Sequence, residues 1–270
     1  MVKASARQPG RGADTSTAAG KLLALLDAFC SEQQEFTLTE LANRASVSKP
    51  TAYRILATLE TWRGVERTPS GRYRLGIKFF ELSGLVPDRQ RLRDLALPYM
   101  EDLLVATQGN VHLVTLEGSD VLVLDRLLTH RAASAPSRIR VGGREPATCS
   151  AVGKAILAFS PSDVVEAVLR RGLAAETTYS ITDRQLFLKT LRKIRQDGVA
   201  YDQEELFVGR ACVGAPIFDH TGDVVAALSV SGAATRMPLE SLAPAVRAAT
   251  NGVSRALGYR HPALRSGPGC

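Results

Sequence analysis

Three hydroxyl-bearing and two cationic side chains lie within one short segment, SKPTAYR. They are Ser48, Lys49, Thr51, Tyr53 and Arg54. Side chains of these types hydrogen-bond to base edges and phosphates in the major groove of DNA. Such contacts require that the side chains project from one exposed face of a helix. The segment is therefore a candidate recognition helix.

Three arginines follow in a segment that has the pattern of a β-hairpin. A strand-like run at 65–67 and another at 72–75 flank the turn sequence TPSG. Period-two alternation places Arg72 and Arg74 on the same face of the second strand. We expect Arg67, Arg72 and Arg74 to bind DNA phosphates.

Three amphipathic helices must position these groups. Apolar stripes with the i, i+3, i+4, i+7 spacing of a helix begin at Leu22, Leu38 and Ala52. The sequence TLTE before the second stripe is a capping box, and Ser48 is the expected N-cap of the third helix. Three helices followed by a basic hairpin predict a winged helix-turn-helix. The alternative is a three-helix packing unit with an ordinary solvated face.

The charge distribution favours the same part of the chain. The 270 residues carry a formal net charge of +7. Residues 36–76 contain seven Lys/Arg and three Glu, which gives +4 for that segment. A basic segment indicates a polyanionic partner, although a solvated basic face gives the same count.

Composition excludes several other classes of protein. Hydrophobic residues make up 45% and charged residues 23%, as in a globular protein. No apolar run is longer than Val224 to Leu228, which is far shorter than the roughly 20 residues of a membrane span. No signal peptide is evident, and four scattered cysteines with four scattered histidines predict neither a metal site nor a cofactor. We expect a cytoplasmic protein that does not associate with membranes.

The rest of the chain alternates between helical and strand patterns, which indicates an α+β domain. No G-x-G-x-x-G or P-loop sequence is present. Predicted strands lie at 111–116, 121–127, 138–141, 210–218 and 223–231, and predicted helices at 77–85, 92–109, 150–159, 162–171, 183–196 and 239–257.

Two predicted strands offer polar side chains on one face. Alternation pairs Arg210 with Cys212, and Ser229 with Ser231. Hydroxyls on a rigid sheet can hold a small polar ligand, although solvent-facing serines are the common alternative. The free amides at the start of the helix near Ala151 add a candidate anion site.

The stretch TLTELANRASVSKPTAYRILATLE with RYRLG resembles the DNA-binding domain of the isocitrate lyase regulator (IclR) family of bacterial transcription factors. The pattern G-x3-D-x2-E-x6-C-V-G-x2-I-F-D, from Gly198 to Asp219, is similar to that family's signature. The resemblance extends from Thr17 to Gly258. It implies a winged helix, a linker helix, a GAF-like effector-binding domain, and dimers or tetramers.

The resemblance also implies which residues bind the effector: the amides of Ala151 and Val152, with Asp202, Arg210, Cys212, Ser229 and Ser231. The family commonly has an apolar residue at the position of Arg210. A guanidinium there favours an anionic effector. Alternatively, Arg210 pairs with Asp202 or Glu205, and the sequence leaves both interpretations open.

We therefore expect a repressor of a catabolic operon that responds to a small anionic or aromatic metabolite. Its partners are operator DNA, the effector and further copies of itself. The alternatives are a second domain that only oligomerises, or a GAF-like enzyme, although no histidine has a spacing that pairs it with Cys212. The expected domains are an arm at 1–15, a winged helix-turn-helix at 16–76, a linker helix at 77–90, a GAF-like domain at 91–260 and a tail at 261–270.

Overall fold

The computed structural model describes residues 15–29, 33–129 and 139–260. The chain divides into two compact units, and the division falls between Pro87 and Asp88. The predicted arm, apart from Thr15, and the predicted tail at 261–270 lie outside the described residues. The α+β class is confirmed, because both units combine helices with antiparallel strands.

The N-terminal unit begins with the three predicted helices, and their apolar stripes form its core. Leu25, Leu41 and Leu56, one from each helix, are all 0% exposed. Thr37 and Glu40 form the predicted capping box, since each side chain accepts a hydrogen bond from the other residue's amide. The helices are α1 (Ala18–Asp27), α2 (Leu38–Arg44) and α3 (Lys49–Thr61).

The predicted hairpin is confirmed and packs against the helices. Strands β1 (Val65–Arg67) and β2 (Tyr73–Leu75) are antiparallel, and Gly71 takes the left-handed conformation in the turn between them, with φ of 78°. Tyr73 exchanges two backbone hydrogen bonds with Phe36, of 2.7 and 2.8 Å. Because Phe36 directly precedes the N-cap of α2, these bonds fix the hairpin to the helix-turn-helix.

The predicted linker segment, 77–90, contains all of one helix and the start of another. Helix α4 (Lys78–Ser83) is shorter than the predicted 77–85, and α5 (Pro87–Thr107) begins five residues before the predicted start at 92. Proline is compatible with the first turn of a helix, where an amide donor has no intrahelical partner.

The C-terminal unit is built on one six-stranded antiparallel sheet. Its strands are β3 (Asn110–Glu117), β4 (Asp120–Leu127), β5 (Arg144–Pro146), β6 (Ala200–Gln203), β7 (Arg210–Phe218) and β8 (Val224–Ala233). Their order across the sheet is β5-β4-β3-β8-β7-β6. Strands β6, β7 and β8, which carry the predicted ligand residues of the sheet, are therefore adjacent.

The predicted strand at 138–141 is wrong. Residues 139–141 are not in a strand, position 138 lies outside the described residues, and the chain instead turns through Gly142, whose φ is 77°. The Gly142 amide donates to the Val123 carbonyl at 2.8 Å, so the turn closes against β4 before β5 begins. Strand β6 was not predicted, because four residues that include an aspartate carry little strand signal and pairing with β7 decides the conformation.

Helices cover both faces of the sheet, and each face has its own apolar core. Residues of α5 and α9 pack with Val213 and Leu228 on one face. Residues of α6, α7 and α8 pack with Val114 and Ala227 on the other face. The further helices are α6 (Ala151–Phe159), α7 (Ser162–Arg170), α8 (Arg184–Asp197) and α9 (Leu239–Ala256). None of the described helices has the length and apolar character needed to cross a membrane.

Candidate nucleic-acid interface and ligand cavity

The outer face of α3 carries the side chains predicted for the recognition helix. Tyr53 is 54% exposed. Ser48, Lys49 and Arg54 are also exposed, and Thr51 is half-buried. The apolar stripe of the same helix is buried in the core of the unit. The helical spacing therefore places the polar residues on the accessible side, as the sequence predicted.

Ser48 begins α3 with the extended backbone of an N-cap, but its hydroxyl does not cap the helix. The predicted N-cap position is therefore confirmed, without a capping bond from the side chain. Ser48 Oγ instead lies 2.8 Å from Thr51 Oγ1. Since this pair of hydroxyls is exposed at the start of α3, both are accessible to a partner.

Two cations on this face have no protein counter-ion. The side chains of Lys49 and Arg54 form no ion pair or hydrogen bond with the residues that the structure describes. In the hairpin, the Arg67 guanidinium lies 5.9 Å from the centre of the Tyr73 ring, a cation–π contact, and it forms no ion pair with a described residue. These three side chains can bind a polyanion without first losing a carboxylate partner.

The other two hairpin arginines have partners within the unit. Arg72 Nη2 donates to Glu40 Oε2 and to the Glu35 carbonyl, both at 3.1 Å. Arg74 donates through Nε and Nη2 to Glu66 Oε2, at 2.9 and 2.8 Å. A phosphate would compete with a carboxylate for either arginine.

The second candidate site is a cavity of about 30 Å³ between the sheet and the start of α6. All seven residues predicted for a ligand site line it: Ala151, Val152, Asp202, Arg210, Cys212, Ser229 and Ser231. A cavity of this size accommodates about two water molecules. A metabolite must therefore widen it on binding.

Strand register brings these residues together. Asp202 on β6 lies opposite Cys212 on β7, and Cys212 lies opposite Ser231 on β8. Two residues before Ser231 on β8, Ser229 lies opposite His112 on β3. The polar row therefore crosses four adjacent strands, which sequence alternation within single strands could not establish.

Sequence analysis missed three polar residues of the cavity, His112, Glu145 and the helix-capping Ser150. Neither His112 Nε2 nor Glu145 Oε1 has a hydrogen-bond partner among the described residues. Glu145 was missed because the strand that carries it was predicted at 138–141. Apolar residues complete the lining: Val114, Val123, Ile139, Leu206, Phe207 and Ala211.

The structure shows whether Arg210 pairs with Asp202 or Glu205, as one of the two interpretations held. Arg210 Nη2 donates to Ser231 Oγ at 3.0 Å, and no ion pair joins Arg210 to Asp202 or Glu205. Pairing with either acid is therefore wrong. The guanidinium keeps unused donors next to the cavity.

The two acids have other partners. Asp202 Oδ1 accepts hydrogen bonds from the amides of Glu205, at 2.8 Å, and Leu206, at 3.4 Å. Glu205 forms an ion pair with Lys154, whose side chain is only 1% exposed. This pair fixes the turn after β6 to α6. It also explains why a lysine is buried in an otherwise apolar helix.

The start of α6 contributes unpaired donors to the cavity. Ser150 Oγ caps the helix by accepting from the Gly153 amide at 3.1 Å. The amides of Ala151 and Val152 donate to no described acceptor. A Cβ atom on Gly214 would lie 3.1 Å from the Val152 nitrogen. Glycine at that position therefore lets the helix start rest directly on β7.

Burial controls the protonation of the cavity residues. It raises the pKa of Glu145 to about 7, against the attraction of Arg210. Burial, together with repulsion from Arg210 and Arg126, lowers the pKa of His112 to about 3. Burial also raises the pKa of the Cys212 thiol to about 12, and the Asp202 carboxylate adds to this. Near pH 7, His112 is therefore uncharged and Cys212 remains a thiol, unlike an activated nucleophile.

Family models match both units of the chain. A model described as the IclR helix-turn-helix domain matches residues 18–69, and one for the bacterial transcriptional regulator IclR C-terminal matches residues 85–255. The chain belongs to the IclR family. The resemblance identified from the sequence is thus confirmed.

IclR-family regulators are similar to the chain over most of its length. The regulator KipR of Bacillus subtilis is 30% identical over 243 residues, which cover 88% of this chain and 96% of KipR. KdgR of Escherichia coli is 31% identical over 251 residues, covering 91% and 94%. Relatives are thus named as transcriptional regulators and not as enzymes.

Solved IclR structures have the same fold. An IclR homologue from Microbacterium hydrocarbonoxydans, in complex with 4-hydroxybenzoate, has a TM-score of 0.83 and 26% identity, covering 89% of this chain and 99% of the other. The IclR of Thermotoga maritima has a TM-score of 0.74 and 30% identity, covering 91% and 100%. The chain is therefore a DNA-binding regulator of the IclR type with a C-terminal ligand-binding domain.

Proposed function

We propose that this IclR-family regulator represses a catabolic operon and that a small anionic or aromatic metabolite, bound in the cavity, alters its hold on operator DNA. The observation that carries the proposal is the outer face of α3. Lys49 and Arg54 lie on it without a counter-ion among the described residues, beside the exposed phenol of Tyr53. A duplex supplies the missing negative charge and acceptors along the base edges.

The proposed DNA contacts are of two kinds: some read the base sequence, and others position the protein on the phosphates. Ser48, Lys49, Thr51, Tyr53 and Arg54 contact bases and adjacent phosphates in the major groove, and Arg67, Arg72 and Arg74 contact phosphates from the wing. For Arg72 and Arg74 the phosphate contact requires an exchange with Glu40 and Glu66. These two arginines therefore add less to affinity than Arg67.

Self-association is part of the proposal. A single winged helix buries too little surface for tight specific binding, whereas two linked copies raise the effective concentration of the second. We propose a dimer or a dimer of dimers, acting in the cytoplasm on an operator with two similar half-sites. The proposed units are a winged helix at 16–76, a linker at 77–90 and a GAF-like effector domain at 91–260.

The control by a ligand is supported by the cavity and by relatives. Donors converge on the cavity from Ala151, Val152, Arg210, Ser229 and Ser231. One solved neighbour holds 4-hydroxybenzoate, and a relative from Salmonella typhi is named the transcriptional repressor AllR. We propose no catalytic role, because burial keeps the thiol of Cys212 protonated and no described base is paired with it.

The test is selection of DNA by the full-length protein from a pool of random duplexes, at fixed salt. The proposal expects enrichment of a motif with two related half-sites. Retention of duplexes without any shared sequence would contradict it. If a motif is enriched but no small molecule alters its binding, the second domain serves oligomerisation alone.

A further inference from the structure

The polar groups around the cavity are mostly hydrogen-bond donors. Arg210 has free N–H groups beyond the one bound to Ser231, and the amides of Ala151 and Val152 have no acceptor among the described residues. Both oxygens of a ligand carboxylate could accept from these groups. The acceptor Oδ1 of Asp202 is already used by two amides. These donors therefore suit a ligand that carries negative charge and hydrogen-bond acceptors.

Glu145 is the polar group of the cavity that does not suit an anionic ligand when it is ionised. Its carboxyl lines the cavity, and its Oε1 atom has no partner among the described residues. An ionised Glu145 would cancel the charge of Arg210 and repel an incoming anion. A neutral Glu145 would instead donate an O–H to it. The protonation of one side chain therefore determines whether the cavity attracts or rejects an anion.

We propose that the effector is a small organic carboxylate that binds Arg210, and that Glu145 must be protonated for the carboxylate to bind. This inference rests on the proposed function. Where Glu145 is ionised beforehand, binding takes up one proton from solvent onto its carboxyl, and no bond of the ligand is broken. Glu145 then donates a hydrogen bond to the bound carboxylate. The site thus couples the regulator's response to pH.

Of the other charged and titratable groups near Glu145, Asp202 also changes its charge between pH 6 and pH 8. Burial raises the pKa of Asp202 to about 6, against the attraction of Lys154 and hydrogen bonds from two amides, so its ionisation adds to the loss of anion affinity as the pH rises. Lys154 is itself neutralised by Glu205. His112 and Cys212 are uncharged near pH 7. Arg126 donates to the Ile139 carbonyl. Arg210 thus remains the positive group that Glu145 opposes.

The direction of the coupling follows from burial. Removal from water raises the pKa of Glu145 to about 7 despite the nearby guanidinium. About nine-tenths of the sites are then neutral at pH 6 and about one-tenth at pH 8, and apparent affinity scales with that fraction. A carboxylate ligand should bind about tenfold more weakly at pH 8 than at pH 6.

The first experiment tests the ligand class by thermal denaturation of the full-length protein at pH 6. The probes are benzoate, 4-hydroxybenzoate, lactate and glycolate, each beside its uncharged carboxamide. We expect at least one carboxylate to raise the melting temperature while its amide does not. Stabilisation by the amides to the same degree, or by none of the carboxylates, would overturn the proposal.

Substitutions at Arg210 localise the effect. Arg210→Gln should remove the stabilisation by the carboxylate, and Arg210→Lys, which keeps the charge, should restore part of it. Arg255→Gln, at an exposed position of α9, is the matched control and should respond like the parent. An unchanged response of Arg210→Gln would place the ligand elsewhere.

The second experiment measures the Kd of the stabilising carboxylate by calorimetry at pH 6 and pH 8. The parent should lose at least about tenfold in affinity, and Glu145→Gln, which is always neutral, should lose clearly less, because only Asp202 still ionises in the cavity over this range. Glu101→Gln, at an exposed position of α5, should keep the parent's dependence. Equal Kd values for the parent at the two pH values, or a change of the parent's full size in Glu145→Gln, would refute proton coupling at Glu145.

The outcomes separate this inference from the proposed function. DNA selection by the same protein uses the N-terminal unit and needs no ligand. A selected motif without carboxylate binding would refute this inference but not the proposed function. Carboxylate binding without any selected motif would refute the proposed function but not the ligand chemistry.

Discussion

Replacing Glu145 with glutamine should stabilise the ligand-free protein, and only at neutral and alkaline pH. The pKa of Glu145 rises from 4.5 to about 7 in the folded protein because burial disfavours its charge. Folding is therefore most favoured while the group is neutral, below about pH 4.5, and this contribution is lost as the pH rises through about 7. The glutamine side chain has no such ionisation.

The size of the effect follows from the same values. A difference of roughly 2.5 pH units, at about 1.36 kcal/mol each, gives about 3 kcal/mol at pH 8. For a domain of this size, about 3 kcal/mol corresponds to a rise of roughly 6–12 °C in melting temperature. At pH 5 most of Glu145 is already neutral, so the variant and the parent should differ little.

Scanning calorimetry of the parent, Glu145→Gln and the exposed control Glu101→Gln at pH 5 and pH 8 measures the difference. Contributions from Asp202 and other acids are common to all three proteins and cancel. A Glu145→Gln variant with the same melting temperature as the parent at pH 8 would refute the reasoning. So would a stabilisation of equal size at both pH values, since ionisation would then not be its cause.

Further substitutions test other parts of the structure. Lys154→Ala should lower the free energy of unfolding in urea by about 3–5 kcal/mol, because Glu205 is left buried without its ion-pair partner; a loss below about 1 kcal/mol would contradict that. Arg67→Ala should reduce the slope of log K against log salt for DNA binding by about one. Arg72→Ala should reduce it by less, because Glu40 already neutralises Arg72. Equal slopes for the two variants would show that the ion pair does not limit the contact of Arg72 with phosphate. Ser229→Ala should impair the response to the ligand without changing DNA affinity, and a normal response would remove Ser229 from the site.

Local sequence signals predicted most of the N-terminal unit, because caps, apolar stripes and turn residues act within a few positions. The capping box at Thr37 and Glu40 is one example. The partner of Arg72 could not be found this way. Alternation predicts the face on which Arg72 lies, but the contact with Glu40 joins residues 32 positions apart and depends on how the hairpin packs.

The cavity was predicted in part for a related reason. Period-two alternation grouped Arg210 with Cys212 and Ser229 with Ser231, and the family resemblance supplied Ala151, Val152 and Asp202. His112 joins them only through the register between β3 and β8. Glu145 joins them because the chain turns at Gly142, where a run of Arg, Ile and Val suggested a continuous strand. Strand pairing and a left-handed turn are properties of the folded chain that these patterns do not contain.

The central claim is that the outer face of α3 reads operator DNA, and Arg54→Ala tests it most directly. The measurement compares the affinity of the parent, Arg54→Ala and the exposed control Arg255→Ala for the selected operator and for a random duplex, at one salt concentration. Loss of a base contact should cost about 1–3 kcal/mol on the operator and clearly less on random DNA, with no change in the control. Equal losses on both duplexes, or no loss on the operator, would contradict the claim.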